Sequence, residues 1–158
     1  MRLLVFIVAL FSIGLALTDK YDHFQFDITL FCNERDRKEY NLVIEWRESD
    51  TLPGKEQISR SKYFNASTGN FSFTMDGAMD GDEIGSAGYR PVAYITHDCE
   101  RELQEVELAL YVDTLCDIGR SCHYRIIEDI TNRKGTDYIT AKALKLDDWT
   151  PFPDFHPS

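Results

Sequence analysis

Val106-Glu107-Leu108-Ala109-Leu110-Tyr111-Val112 can be read in two ways, and the choice sets the fold class. As part of a helix over Glu100 to Leu110, the segment places Leu103, Val106 and Leu110 on one face. As a strand, it alternates from Val106 to Val112 without a break. The period of two decides for a strand, after a short helical or irregular lead-in.

The same period recurs upstream. Phe24, Phe26, Ile28 and Leu30 alternate with Gln25, Asp27 and Thr29, which makes a half-buried strand. A second strand, Leu42 to Trp46, follows the polar segment Asn33 to Glu39. A short third is expected over Gln57 to Phe64, beyond a turn at Ser49 to Gly54. Thr68-Gly69-Asn70 reads as a tight turn before the alternating Phe71 to Met75. Asp76 to Gly88 holds four glycines and four acids, and reads as a loop. Pro91 to Thr96 is another strand, and Tyr124 to Ile130 and Tyr138 to Leu146 are weaker candidates. Seven or eight short strands with turn signals between them predict an all-β antiparallel sandwich.

Composition narrows the function. At 158 residues the chain is one domain, and 43 % hydrophobic residues suffice for one core. Lys+Arg 17 against Asp+Glu 27 gives a net charge of −10. Nucleic acid is therefore excluded as the main partner, because phosphate binding needs a basic face.

The N-terminus carries a targeting pattern. Arg2, the apolar run from Leu3 to Phe11, and the small residues Gly14 and Ala16 match a secretory signal peptide cleaved after Ala16. The run from Leu3 to Leu17 is broken by Ser12 and Gly14 and is short for a membrane span of about 20 residues. No second stretch approaches that length, so the chain is expected to be secreted and not an integral membrane protein. Loss of residues 1–16 removes one basic group, leaving 16 against 27, or −11. The sandwich then occupies residues 17–148. Residues 149–158 hold three prolines and form an irregular tail.

Export agrees with two further features. Asn65-Ala66-Ser67 and Asn70-Phe71-Ser72 are sequons, which places glycans on an exposed loop around Thr68-Gly69. Cys32, Cys99, Cys116 and Cys122 form an even set, and two disulfides are the default in an oxidising compartment. Strands that alternate up and down put Cys32 and Cys99 at one end of the sandwich, and Cys116 and Cys122 at the other. A six-residue strand is about 20 Å long, whereas bridged Cα atoms lie within about 7 Å. The expected pairs are therefore Cys32–Cys99 and Cys116–Cys122.

Other chemistry has competing readings. His97-Asp98-Cys99 with Cys122-His123 could supply zinc ligands, but export favours oxidised cysteines. His97 is then a strand-end residue that hydrogen-bonds locally and fixes the following loop. Asp76, Asp80, Asp82 and Glu83, among glycines, are a weak calcium candidate, set against a solvated acidic turn. The spacing does not match an EF-hand loop. The histidines at 23, 97, 123 and 156 are scattered, so no catalytic residue is assigned and no cofactor is expected.

Several of these features, in order, resemble the nematode transthyretin-like family. They are Ile28-Thr29-Leu30-Phe31-Cys32, the segment Val43 to Thr51, Gly69-Asn70-Phe71-Ser72-Phe73, and Pro91-Val92-Ala93-Tyr94-Ile95-Thr96-His97-Asp98-Cys99. The strand ending in His-Asp-Cys is the most specific. The likeness covers roughly Phe24 to Val112. It departs where the family has a cysteine soon after His-Asp-Cys, since the next here is Cys116. The resemblance implies a secreted transthyretin-type sandwich acting as a non-enzymatic extracellular binding protein. Some members bridge exposed phosphatidylserine to a receptor, so the partner class is an extracellular protein or lipid. The alternatives are a carrier of small apolar ligands and a hydrolase of the 5-hydroxyisourate type. The Tyr-Arg-Gly-Ser terminus that such a hydrolase carries is missing here.

Overall fold

Alternation in the sequence becomes alternation of burial. Strand β1 (Asp22–Cys32) buries Phe24, Phe26, Ile28 and Leu30 and turns Gln25, Asp27 and Thr29 outward. The computed structural model describes residues 21–49, 56–80, 88–102 and 104–144. The expected signal peptide, most of the turn at Ser49 to Gly54 and the proline-rich tail lie outside them.

The other strands are β2 (Glu39–Glu48), β3 (Lys62–Ser67), β4 (Gly69–Met79), β5 (Gly88–Tyr89), β6 (Pro91–His97), β7 (Val106–Val112), β8 (Cys116–Asp117), β9 (Cys122–Asp129), β10 (Gly135–Ile139) and β11 (Lys142–Leu144). One sheet has the order β11-β9-β1-β4 and the other β10-β7-β6-β2-β3, while β5 and β8 form a small third pair. The two large sheets face each other as a sandwich. Among the described residues there is no helix, and Val106–Val112 is a strand.

The strands are not all antiparallel, contrary to expectation. β1 pairs in parallel with β9, and β7 with β10. One cause is the last strand, which changes sheets: β10 pairs with β7, and after Thr140-Ala141 the chain continues as β11 beside β9. Thr114 Oγ1 donates to the Ala141 carbonyl at 2.7 Å, and Asp113 N to the Ile139 carbonyl at 3.0 Å, fixing the crossing.

Three further boundaries differ from expectation. The third strand occupies Lys62–Ser67, not Gln57 to Phe64. Ile58 N and Ser59 N both donate to the Trp46 carbonyl, so the chain bulges there, and only Gln57 regains a bridge, to Arg47. The loop expected from Asp76 begins instead after Met79, because β4 pairs with β1 along its whole length, from Gly69 to Met79. Gly77, which suggested a loop, permits a close approach: a Cβ there would stand 2.3 Å from the Ile58 carbonyl oxygen. Thr68 and Gly69, with φ +86°, carry the chain from one sheet to the other, so both sequon asparagines sit on strands.

The interior is closely filled. Phe26 stacks on Trp46 with centroids 3.9 Å apart, and Tyr124 lies against Phe26 at 5.6 Å. Tyr40 is buried, which pushes its hydroxyl pKa up to about 12. The disulfides are Cys32–Cys99 and Cys116–Cys122, one at each end of the sandwich.

Candidate functional site

His97-Asp98-Cys99 closes one end of the sandwich. β6 ends at His97: Asp98 N still donates to the Asn41 carbonyl at 3.3 Å, but the Asp98 side chain, not a main-chain carbonyl, takes the Asn41 N–H. Asp98 Oδ1 accepts from Asn41 N at 2.7 Å, and Oδ2 from Arg37 Nη2 at 3.0 Å. Burial alone would raise the Asp98 pKa, but bonds from Arg37 and Asn41 outweigh it and hold the carboxyl below its usual range. Cys99 is bridged to Cys32 at the end of β1, and its carbonyl accepts from Asn132 N at 2.9 Å. His97 lies beneath, 1 % exposed. Its Nδ1 accepts from Cys99 N at 3.2 Å, so Nε2 carries the proton donated to the Arg133 carbonyl at 3.1 Å. The motif is thus a clasp joining β1, β2, β6 and the β9–β10 turn, with His97 in the local role expected of it.

Burial lowers the His97 pKa below 6.5, against the opposing pull of the Arg133 carbonyl, Asp98 and Glu100. The unfolded chain therefore binds a proton on this ring at a pH where the folded chain does not. His97 stabilises the fold fully above pH 6.5, and that contribution is lost as pH falls toward the folded value. Urea midpoints should drop as pH falls below 6.5. His97→Gln, which keeps a donor and an acceptor but does not titrate, should flatten that slope. An unchanged slope would reject the role.

The outer face of the β11-β9-β1-β4 sheet carries a second cluster. Period two turns Asp27 and His123 outward, and parallel pairing of β1 with β9 brings them together. His123 Nε2 lies 2.5 Å from Asp27 Oδ2. Gln25 Nε2 and Thr74 Oγ1 donate to Asp27 Oδ1 at 3.2 and 3.1 Å. Burial pushes the Asp27 pKa up, but bonds from His123, Gln25 and Thr74 prevail and keep it below the ordinary carboxylate value. Beside the pair is a shallow depression of about 270 Å³ that includes Thr29, Ser72, Arg125 and Ile127. A carboxylate bonded to an imidazole fixes the ring and its proton, leaving the other nitrogen able to exchange one. Ninety-six positions separate the two residues in sequence, and an antiparallel arrangement gave no reason to pair them.

The expected site residues lie apart. Asn65 and Asn70 are both exposed, on β3 and β4. Asp76 points outward from β4 and Asp80 follows its end, while Asp82 and Glu83 are outside the described residues. Among the described residues no group of three or more His, Cys, Asp or Glu could hold a metal. The zinc reading fails because Cys99 and Cys122 are bridged to different partners at opposite ends. No helix among the described residues is long and apolar enough to cross a membrane.

No protein-family model matches the chain, and no curated protein matches it. Among solved structures, the alternative pilotin from the type II secretion system of Vibrio cholerae is similar at a TM-score of 0.33 and 14 % identity, covering 78 % of this chain and 96 % of that one. A likeness of that size carries no argument about fold family or function.

Proposed function

We propose that the chain is a secreted, non-enzymatic extracellular binding protein of the transthyretin-like type. The observation that carries this reading is the filled interior: Phe26, Trp46 and Tyr124 occupy the middle of the sandwich, so recognition is left to its outer faces. The His-Asp-Cys clasp supports the family likeness, as does a sandwich of eight principal strands when β10 and β11 count as one and the two-residue β5 and β8 are set aside. The Asp27–His123 face, polar and preformed on three paired strands, is the surface offered to the partner. The glycosylated mature protein should capture a partner from extracellular fluid or membranes. A folded Asp27→Ala/His123→Ala variant should lose it. Equal capture by both proteins would reject this face.

A second reading rests on the same pair. If Asp27 and His123 act as an acid–base couple, the protein would turn over 5-hydroxyisourate, and His123→Gln would abolish that activity. The binding reading predicts no turnover. The carrier reading predicts a small apolar molecule retained in native mass spectrometry.

Glycans should occupy Asn65 and Asn70, since both are exposed. Protein from a eukaryotic secretory host should gain gel mobility on enzymatic deglycosylation, with Asn65→Gln and Asn70→Gln each removing one step. No shift would show both sequons unused.

A further inference from the structure

The five-stranded sheet turns a different chemistry outward on the opposite side of the sandwich. Its registers fix which side chains stand abreast. Thr136, Ala109, Tyr94 and Glu45 form one row across β10, β7, β6 and β2. Tyr111 and Arg47 belong to the neighbouring row, and the Tyr138 ring supports Tyr111 at a centroid distance of 5.3 Å. Ala109 is short where Tyr111 and Tyr94 are long, so a groove of about 640 Å³ opens over it. That volume falls within the roughly 300–1,000 Å³ of small-ligand sites.

At one side Glu45 and Arg47 form a polar pair. Glu45 Oε1 accepts from Arg47 Nε at 2.6 Å, and Oε2 accepts from Ser61 Oγ at 2.6 Å. Burial pushes the Glu45 pKa up, but the bonds from Ser61 and Arg47 prevail, so the carboxylate stays ionised. The pair cancels its own charge. Glu107, also in the groove, adds a negative one, on a chain of net charge −10. Phosphate- or sulfate-bearing ligands are therefore repelled. Strands β6 and β7 are each paired on both sides, so a peptide cannot add to them as a further strand. What remains is a ligand with apolar C–H faces to lie on rings, and neutral hydroxyls to share between a carboxylate, a guanidinium and a threonine.

We propose that this groove binds a neutral oligosaccharide, with a sugar ring stacked on Tyr111 and hydroxyls held by Glu45, Arg47 and Thr136. The site is separate from the Asp27–His123 face and does not depend on it.

The test is calorimetric titration of the full, disulfide-bonded protein. The probes are linear oligosaccharides of β-linked N-acetylglucosamine and of β-linked glucose, with heparin oligosaccharide as the anionic comparison. At least one neutral probe should bind saturably. Tyr111→Ala should weaken it about tenfold, the scale of one aromatic contact, while Tyr111→Phe keeps the ring and the affinity. Ala109→Leu fills the groove from an outward position and should abolish binding without touching the core, which covers the case where Tyr111→Ala fails to fold. The proposal is overturned if neither neutral probe binds, if heparin binds more tightly, or if Ala109→Leu binds normally.

Discussion

Replacing Cys32 and Cys99 together by alanine should lower the unfolding free energy by about 4 kcal/mol on the chain-entropy model. The bridge spans a sequence separation of 67, so its loss frees a long loop in the unfolded chain. Both residues are fully buried, so the substitution also leaves a small void at the clasp. Against a total of about 5–15 kcal/mol, that is a large share. The same change at Cys116 and Cys122, whose separation is 6, should cost only about 2 kcal/mol. Urea denaturation of both pairs checks the ordering. Equal losses would mean that the closure of the long loop does not govern stability.

Trp46→Ala should cost about 3–5 kcal/mol. Trp46 is 1 % exposed and its ring faces Phe26 at 3.9 Å with an interplanar angle of 2°. Its backbone is also occupied: the carbonyl receives Ile58 N and Ser59 N, and its N–H meets Ser59 Oγ at 3.0 Å. Truncation therefore opens a cavity where both sheets meet, at a point whose backbone cannot shift to close it. Trp46→Phe keeps an aromatic ring and should lose much less. Thermal or urea unfolding of the two variants decides the matter, and similar losses for both would show that the stack is not what holds the sheets.

The parts legible in the sequence are those where one local rule acts alone. β1, β2 and β7 each bury alternate residues against one sheet face, so their period of two survives into the structure. The disulfide pairing followed because the expected strand directions place two cysteines at each end. Where two segments compete for one position, local reading failed. Ile58 and Ser59 crowd onto Trp46 and displace the third strand, and Gly77 serves a passing backbone rather than a loop. The Asp27–His123 pair was hidden because it depends on a parallel pairing between the first strand and one that begins at Cys122. No turn or spacing signals such a contact. The tyrosine groove was hidden for a similar reason: Tyr94 and Tyr111 belong to separate strands, and only their register with Ala109 places these half-buried residues around a cleft.

The proposed role requires a protein that is exported with both disulfides formed. Intact mass spectrometry of unreduced, deglycosylated protein from the medium of a eukaryotic secretory host tests it most directly. The predicted mass is that of a chain beginning near Leu17, with all four cysteines oxidised. A cell-retained product with the mass of a chain from Met1, or one carrying four free thiols, would contradict it.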